Sequence, residues 1–233
     1  MQNLLNRILL SEKVVEEFNI NYNNLQFKNW LLGKLPEIER CKNLKQDNPW
    51  HIYNCLEHIL HSVEEMNKQT INLNSNVRRM LAYTMFLHDI GKPDCLIRRF
   101  SKQYNREVDS FFNHNKASVR ISKRVLKDFG FNTNEQKIIL ELVDKHDIFM
   151  FLTITDDGNK YHKVLTHNLI NDEIEEFNKL GNGAELLNYL IMVGRSDNKA
   201  QNPEMTANSL KLLDIMQSML NEITLNACKN NNA

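Results

Sequence analysis

Turn-forming residues are scarce in this sequence, since glycine and proline account for only 7 and 4 of its 233 residues. Because both residue types punctuate turns, their scarcity disfavours a protein built from many tight hairpins and favours long helices. Long apolar runs are missing as well, because no stretch approaches the ~20 residues that cross a bilayer. We therefore expect a helical protein with no membrane partner.

Cysteine is also sparse. The four cysteines lie far apart and form no C-x-x-C pair, which disfavours a thiolate zinc site. The chain opens with an amphipathic segment interrupted by charges rather than with a signal peptide. We therefore expect reduced thiols and a cytoplasmic location.

An excess of charge is absent too, because 29 Lys and Arg residues balance 29 Asp and Glu residues. A protein that wraps nucleic acid normally carries a basic field. We therefore expect no stable DNA complex, although local basic patches remain open. The oligomeric state is left open.

Apolar residues recur at helical spacing through most of the chain, which predicts an all-α helical bundle with room for one small β-hairpin. The hairpin is expected within residues 148–168, and residues 94–113 read as a long charged loop that could cover a substrate. We divide the chain into an N-terminal helical extension (1–45) packed on the main domain (46–203), followed by a C-terminal helix and frayed tail (204–233).

Capping and breaking residues set the expected helix bounds. Asn48 followed by Pro49 is typical of a helix start, and Gly91 of a helix end. The expected helices are two short ones within 3–33, then about 48–68, 75–89, 115–129, 133–146, 171–180, 184–197 and 204–227.

The sharpest local pattern is an adjacent His88 and Asp89 at the end of an apolar helix, followed by Gly91, Lys92 and Pro93. An imidazole and a carboxylate at a helix end can converge on one point beside the axis and suit a divalent cation. Lys92 lies near enough to reach an oxyanion bound there. This pattern predicts a metal site with Asp89 and Lys92 as its catalytic residues.

Four further residues occupy helices or helix ends from which they can join the pair: His58, His114, His146 and Asp197. A metal site in the core of a bundle is built from side chains on facing helices. Asp144 and Asp147 flank His146, and either carboxylate could instead be the ligand or could orient the imidazole.

The order H…HD…H…H…D resembles the HD superfamily of metal-dependent phosphohydrolases. The resemblance is closest to the HD domain of bacterial CCA-adding tRNA nucleotidyltransferases and covers residues 35–200, as a stand-alone HD domain. The blocks that carry it are QDNPWH (46–51), LEH (56–58), HDIGKP (88–93), FNH (112–114) and RSD (195–197).

The resemblance implies an HD-domain bundle and a role for each matched residue. One metal ion would be bound by His58, His88, Asp89 and Asp197. His114 and His146 would hold a second ion, with Asp89 bridging, and Lys92 would contact the scissile phosphate. Histidine-rich ligation favours Mn, Fe, Ni, Co or Zn over Mg, for one or two ions.

The implied activity is hydrolysis of a phosphoester of a nucleotide or an RNA end by metal-activated water. A dinucleoside polyphosphate hydrolase fits the six-residue set equally well. A regulatory nucleotide-binding module that retains the site without turnover is the alternative from another class.

Candidate substrate-binding residues lie near the six candidate metal ligands in the sequence. His51 could bind substrate or be a solvated polar residue, and Arg195 and Lys199 could contact phosphate or pair with nearby acids. Arg120 belongs to a basic stripe that could follow a phosphate backbone, although a solvated helix face is the favoured interpretation.

Overall fold

Helices dominate the structure, a computed structural model that describes residues 1–230. These residues form eleven α-helices and two small two-stranded sheets, so the predicted all-α bundle with a small hairpin is confirmed. The helices are α1 (Gln2–Leu9), α2 (Val14–Tyr22), α3 (Leu25–Lys34), α4 (Glu37–Asn43), α5 (Cys55–Gln69), α6 (Ser75–Leu87), α7 (His114–Val125), α8 (Thr133–Lys145), α9 (His167–Asn178), α10 (Gly183–Lys199) and α11 (Pro203–Asn230).

Helices α5, α6 and α10 pack on one another at the centre. Helix α5 buries mainly one face, whereas α6 is buried on every side from Met80 to Leu87, as is typical of a helix at the centre of a bundle. Helix α8 packs on α6, and α7 packs on α8 and on the turn after α6. Helix α1 packs on α6, α2 packs on α5, and α11 packs on α10. The division into domains stays a prediction, and residues 231–233 of the expected frayed tail lie outside the described part.

Helix α5 begins at Cys55, so the start predicted at Asn48 is wrong. Asn54 caps the helix by accepting from the backbone N–H of Glu57, whose side chain accepts in turn from the backbone N–H of Asn54. Residues 46–54 form an irregular loop instead, and His51 lies in that loop rather than on the helix.

The hairpin lies in the segment that was expected to be an irregular loop. Strands β1 (Ile97–Ser101) and β2 (Arg106–Ser110) pair antiparallel, and Arg98 lies opposite Asp109. Where the hairpin was predicted, β3 (Leu152–Thr153) and β4 (Lys163–Val164) instead pair in parallel over two residues.

Among residues 1–230, no helix combines the length and the apolar composition that a membrane span needs.

Candidate metal centre

The six residues singled out in the sequence meet in one buried cluster. His58 projects from the first turn of α5, His88 and Asp89 follow the last residue of α6, and Asp197 lies near the end of α10. His114 begins α7, and His146 follows α8. His58, His88, Asp89 and His146 are 0–2 % exposed, whereas Asp197 and His114 border the open side.

One half of the cluster gathers around the Oδ2 atom of Asp89. The Nε2 atom of His58 lies 3.1 Å from this oxygen and 3.0 Å from Oδ1 of Asp197. Nε2 of His88 lies 3.4 Å from Asp89 Oδ2 and 3.5 Å from Asp197 Oδ1. The two imidazole nitrogens are 3.3 Å apart, so four ligand-type atoms surround one point.

The other half gathers around the second oxygen of the same carboxylate. Nε2 of His114 lies 3.1 Å from Asp89 Oδ1, and Nε2 of His146 lies 3.6 Å from it. These two nitrogens are 3.0 Å apart. Asp89 therefore presents one oxygen to each half of the cluster, which is the arrangement of a bridging carboxylate.

Backbone carbonyls fix the tautomer of all four imidazoles. Nδ1 of His88 lies 2.6 Å from the carbonyl oxygen of Met85, and Nδ1 of His146 lies 2.7 Å from that of Val143. Nδ1 of His114 and His58 likewise face the carbonyls of Phe111 and Ala200. Since a carbonyl oxygen only accepts, each Nδ1 carries a hydrogen, and each ring turns its Nε2 into the cluster, where this nitrogen can hold either a proton or a metal ion.

Lone pairs that face one another at such distances repel unless a positive charge lies between them. In addition, Oδ1 of Asp89 is buried and receives no hydrogen bond from the described residues. Four imidazole nitrogens and two carboxylates form a donor set suited to borderline divalent ions, and imidazoles whose Nδ1–H is held by a carbonyl are typical of metal ligands. The buried cluster could therefore hold a divalent metal ion.

Protons would compete with a metal ion for the imidazole and carboxylate groups of the cluster. Burial lowers the pKa of His88, but the carboxylates of Asp89 and Asp197 outweigh burial and raise it to about 9. Burial would raise the pKa of Asp89, yet the positive charges of Lys92 and His88 hold it well below its usual range. The pocket thus favours negative carboxylates with positive charge between them, as a cation site requires.

A close approach at Gly91 sets the position of α7. The backbone N–H of Gly91 donates to Oγ of Ser118 at 2.9 Å. A Cβ atom on Gly91 would lie 2.4 Å from Ser118 N and 2.7 Å from the carbonyl carbon of Ala117. The absence of a side chain lets the turn after Asp89 touch α7 and brings His114, one helical turn away, into the cluster.

Lys92 lies beside the cluster with 4 % of its surface exposed. Its Nζ is 2.5 Å from Asp89 Oδ2, 2.9 Å from Oε1 of Gln46 and 3.0 Å from Nε2 of His51. Burial and the positive charge of Lys92 lower the pKa of His51 well below its usual value. The structure thus brings His51 to Lys92, while its role in substrate binding stays a prediction.

The other three candidate substrate residues form ion pairs. Arg195 contacts Asp214 at 3.0 Å, Lys199 contacts Glu65 at 3.8 Å and Arg120 contacts Asp94 at 3.2 Å. The basic stripe on α7 pairs further with acids through Lys116 and Arg124. Contact of Arg195, Lys199 and Arg120 with a substrate remains a prediction.

Asp144 pairs with Lys116 at 2.6 Å, and the carbonyl of Val143 orients His146. Among the described residues, no contact joins the carboxylate of Asp144 to the imidazole of His146, so the alternative that Asp144 orients this ring is not supported. The thiols of Cys41 and Cys55 are buried and contact the carbonyls of Ile90 and Asp89, as expected for core thiols.

Two residues that contribute to the site were missed. Gln46 is buried against Lys92, and Ser118 accepts from Gly91. Only weak signals pointed to them: Gln46 opens the QDNPWH block, and Ser118 lies among apolar residues on the inner face of α7.

Comparison of the chain with protein-family models finds no family that matches. The structure itself defines a helical protein with a buried His/Asp cluster that could hold a metal ion. That description is compatible with an HD-type domain.

Proposed function

We propose that this protein is an HD-type metal-dependent phosphohydrolase that cleaves a phosphoester of a nucleotide or an RNA end. The observation that carries the proposal is the sharing of Asp89, whose two oxygens face two sets of imidazole Nε2 atoms. Paired cation sites that share a carboxylate are typical of enzymes that clamp a phosphoester. His58, His88, Asp89 and Asp197 would hold one ion, and Asp89, His114 and His146 a second.

A divalent cation in this cluster would supply Lewis-acid stabilisation of the phosphoester and a water that ionises near neutral pH. The imidazole donors favour Mn, Fe, Co, Ni or Zn over Mg. The residues themselves do the rest. The backbone carbonyls hold each imidazole in one orientation, and the surrounding helices exclude bulk water, which strengthens every charge interaction inside.

Lys92 supplies a positive charge next to Asp89, where a phosphate on the cluster would develop negative charge. His114 and Asp197, each with a side chain 13 % exposed, mark the side from which a substrate would enter. His51, Arg195, Lys199 and Arg120 are the residues that we propose to contact the remainder of the substrate.

The test is hydrolysis of an aryl phosphate and an aryl phosphodiester by apo-protein reconstituted separately with Mn, Fe(II), Co, Ni, Zn and Mg. We expect turnover with at least one transition metal and its loss in the double variant His88→Ala/Asp89→Ala. The matched control is His162→Ala/Asp157→Ala, which removes an exposed His–Asp pair joined at 2.6 Å and should keep full activity.

Turnover that survives His88→Ala/Asp89→Ala would overturn the assignment of the site. Bound metal without turnover of either aryl ester, or of nucleotide esters assayed in the same way, would instead favour a regulatory nucleotide-binding module.

A further inference from the structure

The ammonium group of Lys92 has three hydrogens and three acceptors. Asp89 Oδ2, Gln46 Oε1 and His51 Nε2 lie 2.5, 2.9 and 3.0 Å from its Nζ. Because an ammonium donates three hydrogen bonds at most, all of its hydrogens are engaged. Direct contact with a phosphate would require Lys92 to give up one of these partners.

Each neutral acceptor is itself held in the accepting orientation. Oδ1 of Asn48 accepts from the backbone N–H of Trp50 at 3.1 Å and lies 2.8 Å from Nδ1 of His51, so this Nδ1 carries the hydrogen. Nε2 of Gln46 donates to the carbonyl of Tyr53 at 3.3 Å, which leaves its Oε1 to face Lys92.

The backbone at Gln46 is unusual for a residue other than glycine. Its φ is 55°, in the left-handed region, although the side chain is 1 % exposed. Such a conformation persists only where the surrounding structure holds it, and it is often found at functional sites. Here the turn is what directs the Gln46 side chain towards Lys92.

The loop that carries Gln46 and His51 is anchored at two points, Asp47 and Trp50. The backbone N–H of Asp47 donates to Oδ2 of Asp109, and that of Asp109 donates to the carbonyl of Asp47, at 2.8 and 2.9 Å. On the other side, the backbone N–H of Asn202 donates to the carbonyl of Trp50 at 2.9 Å. The hairpin and the start of α11 therefore fix the loop.

We infer that Gln46 is a positioning residue that, together with His51, holds Lys92 against Asp89 as a fixed positive charge beside the metal cluster. This inference rests on the proposed hydrolase function. The side chain of Gln46 forms hydrogen bonds with Lys92 and with the carbonyl of Tyr53, and with none of the six cluster residues. Gln46 would therefore affect the reaction only by positioning Lys92.

The first experiment is a double-mutant cycle. Gln46→Met removes the acceptor at nearly constant length, and we expect kcat to fall about tenfold, since a hydrogen bond to a charged group contributes on this scale. Metal content should match the wild type. In the background of Lys92→Met the same change should cost less than about twofold, because its effect acts through Lys92.

Two further variants distinguish the effect of the Gln46 side chain on kcat from the effect of its backbone conformation. Gln46→Gly relieves the left-handed conformation and should lower kcat as much as Gln46→Met does. Gln46→Glu retains an acceptor oxygen and should preserve more activity than either. The matched control is Gln136→Met, which removes a hydrogen bond to the carbonyl of Phe131 at the start of α8 and should leave kcat unchanged.

A second readout does not depend on turnover. The ammonium resonance of a lysine is observable by NMR when its hydrogens are protected, and Lys92→Met identifies the signal of Lys92. We expect this signal in the wild type, its loss or broadening in Gln46→Met and its persistence in Gln136→Met.

If the wild type hydrolyses nothing, the proposed function fails while the NMR result still tests the positioning. Full additivity of Gln46→Met and Lys92→Met, or an unaltered Lys92 signal in Gln46→Met, would overturn the inference.

Discussion

Replacing Gly91 by alanine should separate the two halves of the cluster. The new Cβ would lie 2.4 Å from the backbone N of Ser118 and 2.7 Å from the carbonyl carbon and the Cβ of Ala117. Non-bonded carbon atoms prefer separations of about 3.5–4.0 Å, so α7 must retreat by about 1 Å. The obstacle is mainly backbone, and a rotamer change cannot relieve it.

The cost follows from this overlap. Overpacking a buried contact costs about 1–3 kcal/mol, and each kcal/mol lowers the Tm of a protein of this size by roughly 2–4 °C. We therefore expect Gly91→Ala to lower Tm by roughly 2–12 °C. Since His114 lies one turn before Ala117, its Nε2 should also leave Asp89 Oδ1.

The assay combines thermal unfolding of the apo-protein with elemental analysis after reconstitution. Gly91→Ala should retain the ion of the half that contains Asp197 and lose the ion of the half that contains His114. The control is Gly33→Ala, where an added Cβ meets nothing within 4 Å. An apo Tm within about 1 °C of wild type, together with wild-type metal content in Gly91→Ala, would refute the reasoning.

Three other predictions follow from the same contacts. Asn54→Ala removes the capping box of α5 and should lower the free energy of unfolding in urea by about 1 kcal/mol; an unchanged midpoint would argue against it. Gly194→Ala places a Cβ 2.3 Å from the ring of Phe149 and should lower Tm, with partial recovery in Gly194→Ala/Phe149→Leu; a lack of recovery would mean that the ring is not the obstacle. Chelation of the reconstituted protein should lower Tm reversibly, because an ion that binds the folded cluster at 100 times its Kd contributes about 2.7 kcal/mol; coincident melts with and without chelator would contradict a folded-state metal site.

The long helices, and the placement of His58, His88 and Asp89 on a helix face or at a helix end, followed from local signals. Apolar spacing placed His58 on the inner face of a helix, and the break at Gly91 placed His88 and Asp89 at a helix end. Such signals depend on neighbours a few positions away, and a sequence displays them directly. The meeting of all six side chains is a long-range property, and it was predicted from the order H…HD…H…H…D and the resemblance that this order carries.

The misplaced elements depend on contacts that are distant in sequence. Asn48 has the local features of a helix cap, yet its loop is held by Asp109 of the hairpin and by Asn202. The hairpin itself lacks apolar alternation, because charged pairs such as Arg98 with Asp109 join its strands. In the segment 148–168, Gly158 has a φ of 72° and lies in a bend, but the strands on either side of it pair in parallel.

The roles of Gln46 and Ser118 were hidden for a related reason. A single polar residue carries no periodic signal, and the function of Gln46 depends on a backbone angle that its neighbours impose. The structure shows that a glutamine 46 positions before Lys92 accepts a hydrogen bond from its ammonium group.

The most direct test of the central claim is anomalous diffraction from crystals of the manganese-loaded protein. We predict a manganese peak beside the Nε2 atoms of His58 and His88, and a second beside those of His114 and His146, with Asp89 between them. Absence of manganese from both positions in protein that carries stoichiometric manganese would contradict the assignment of these residues as a metal centre.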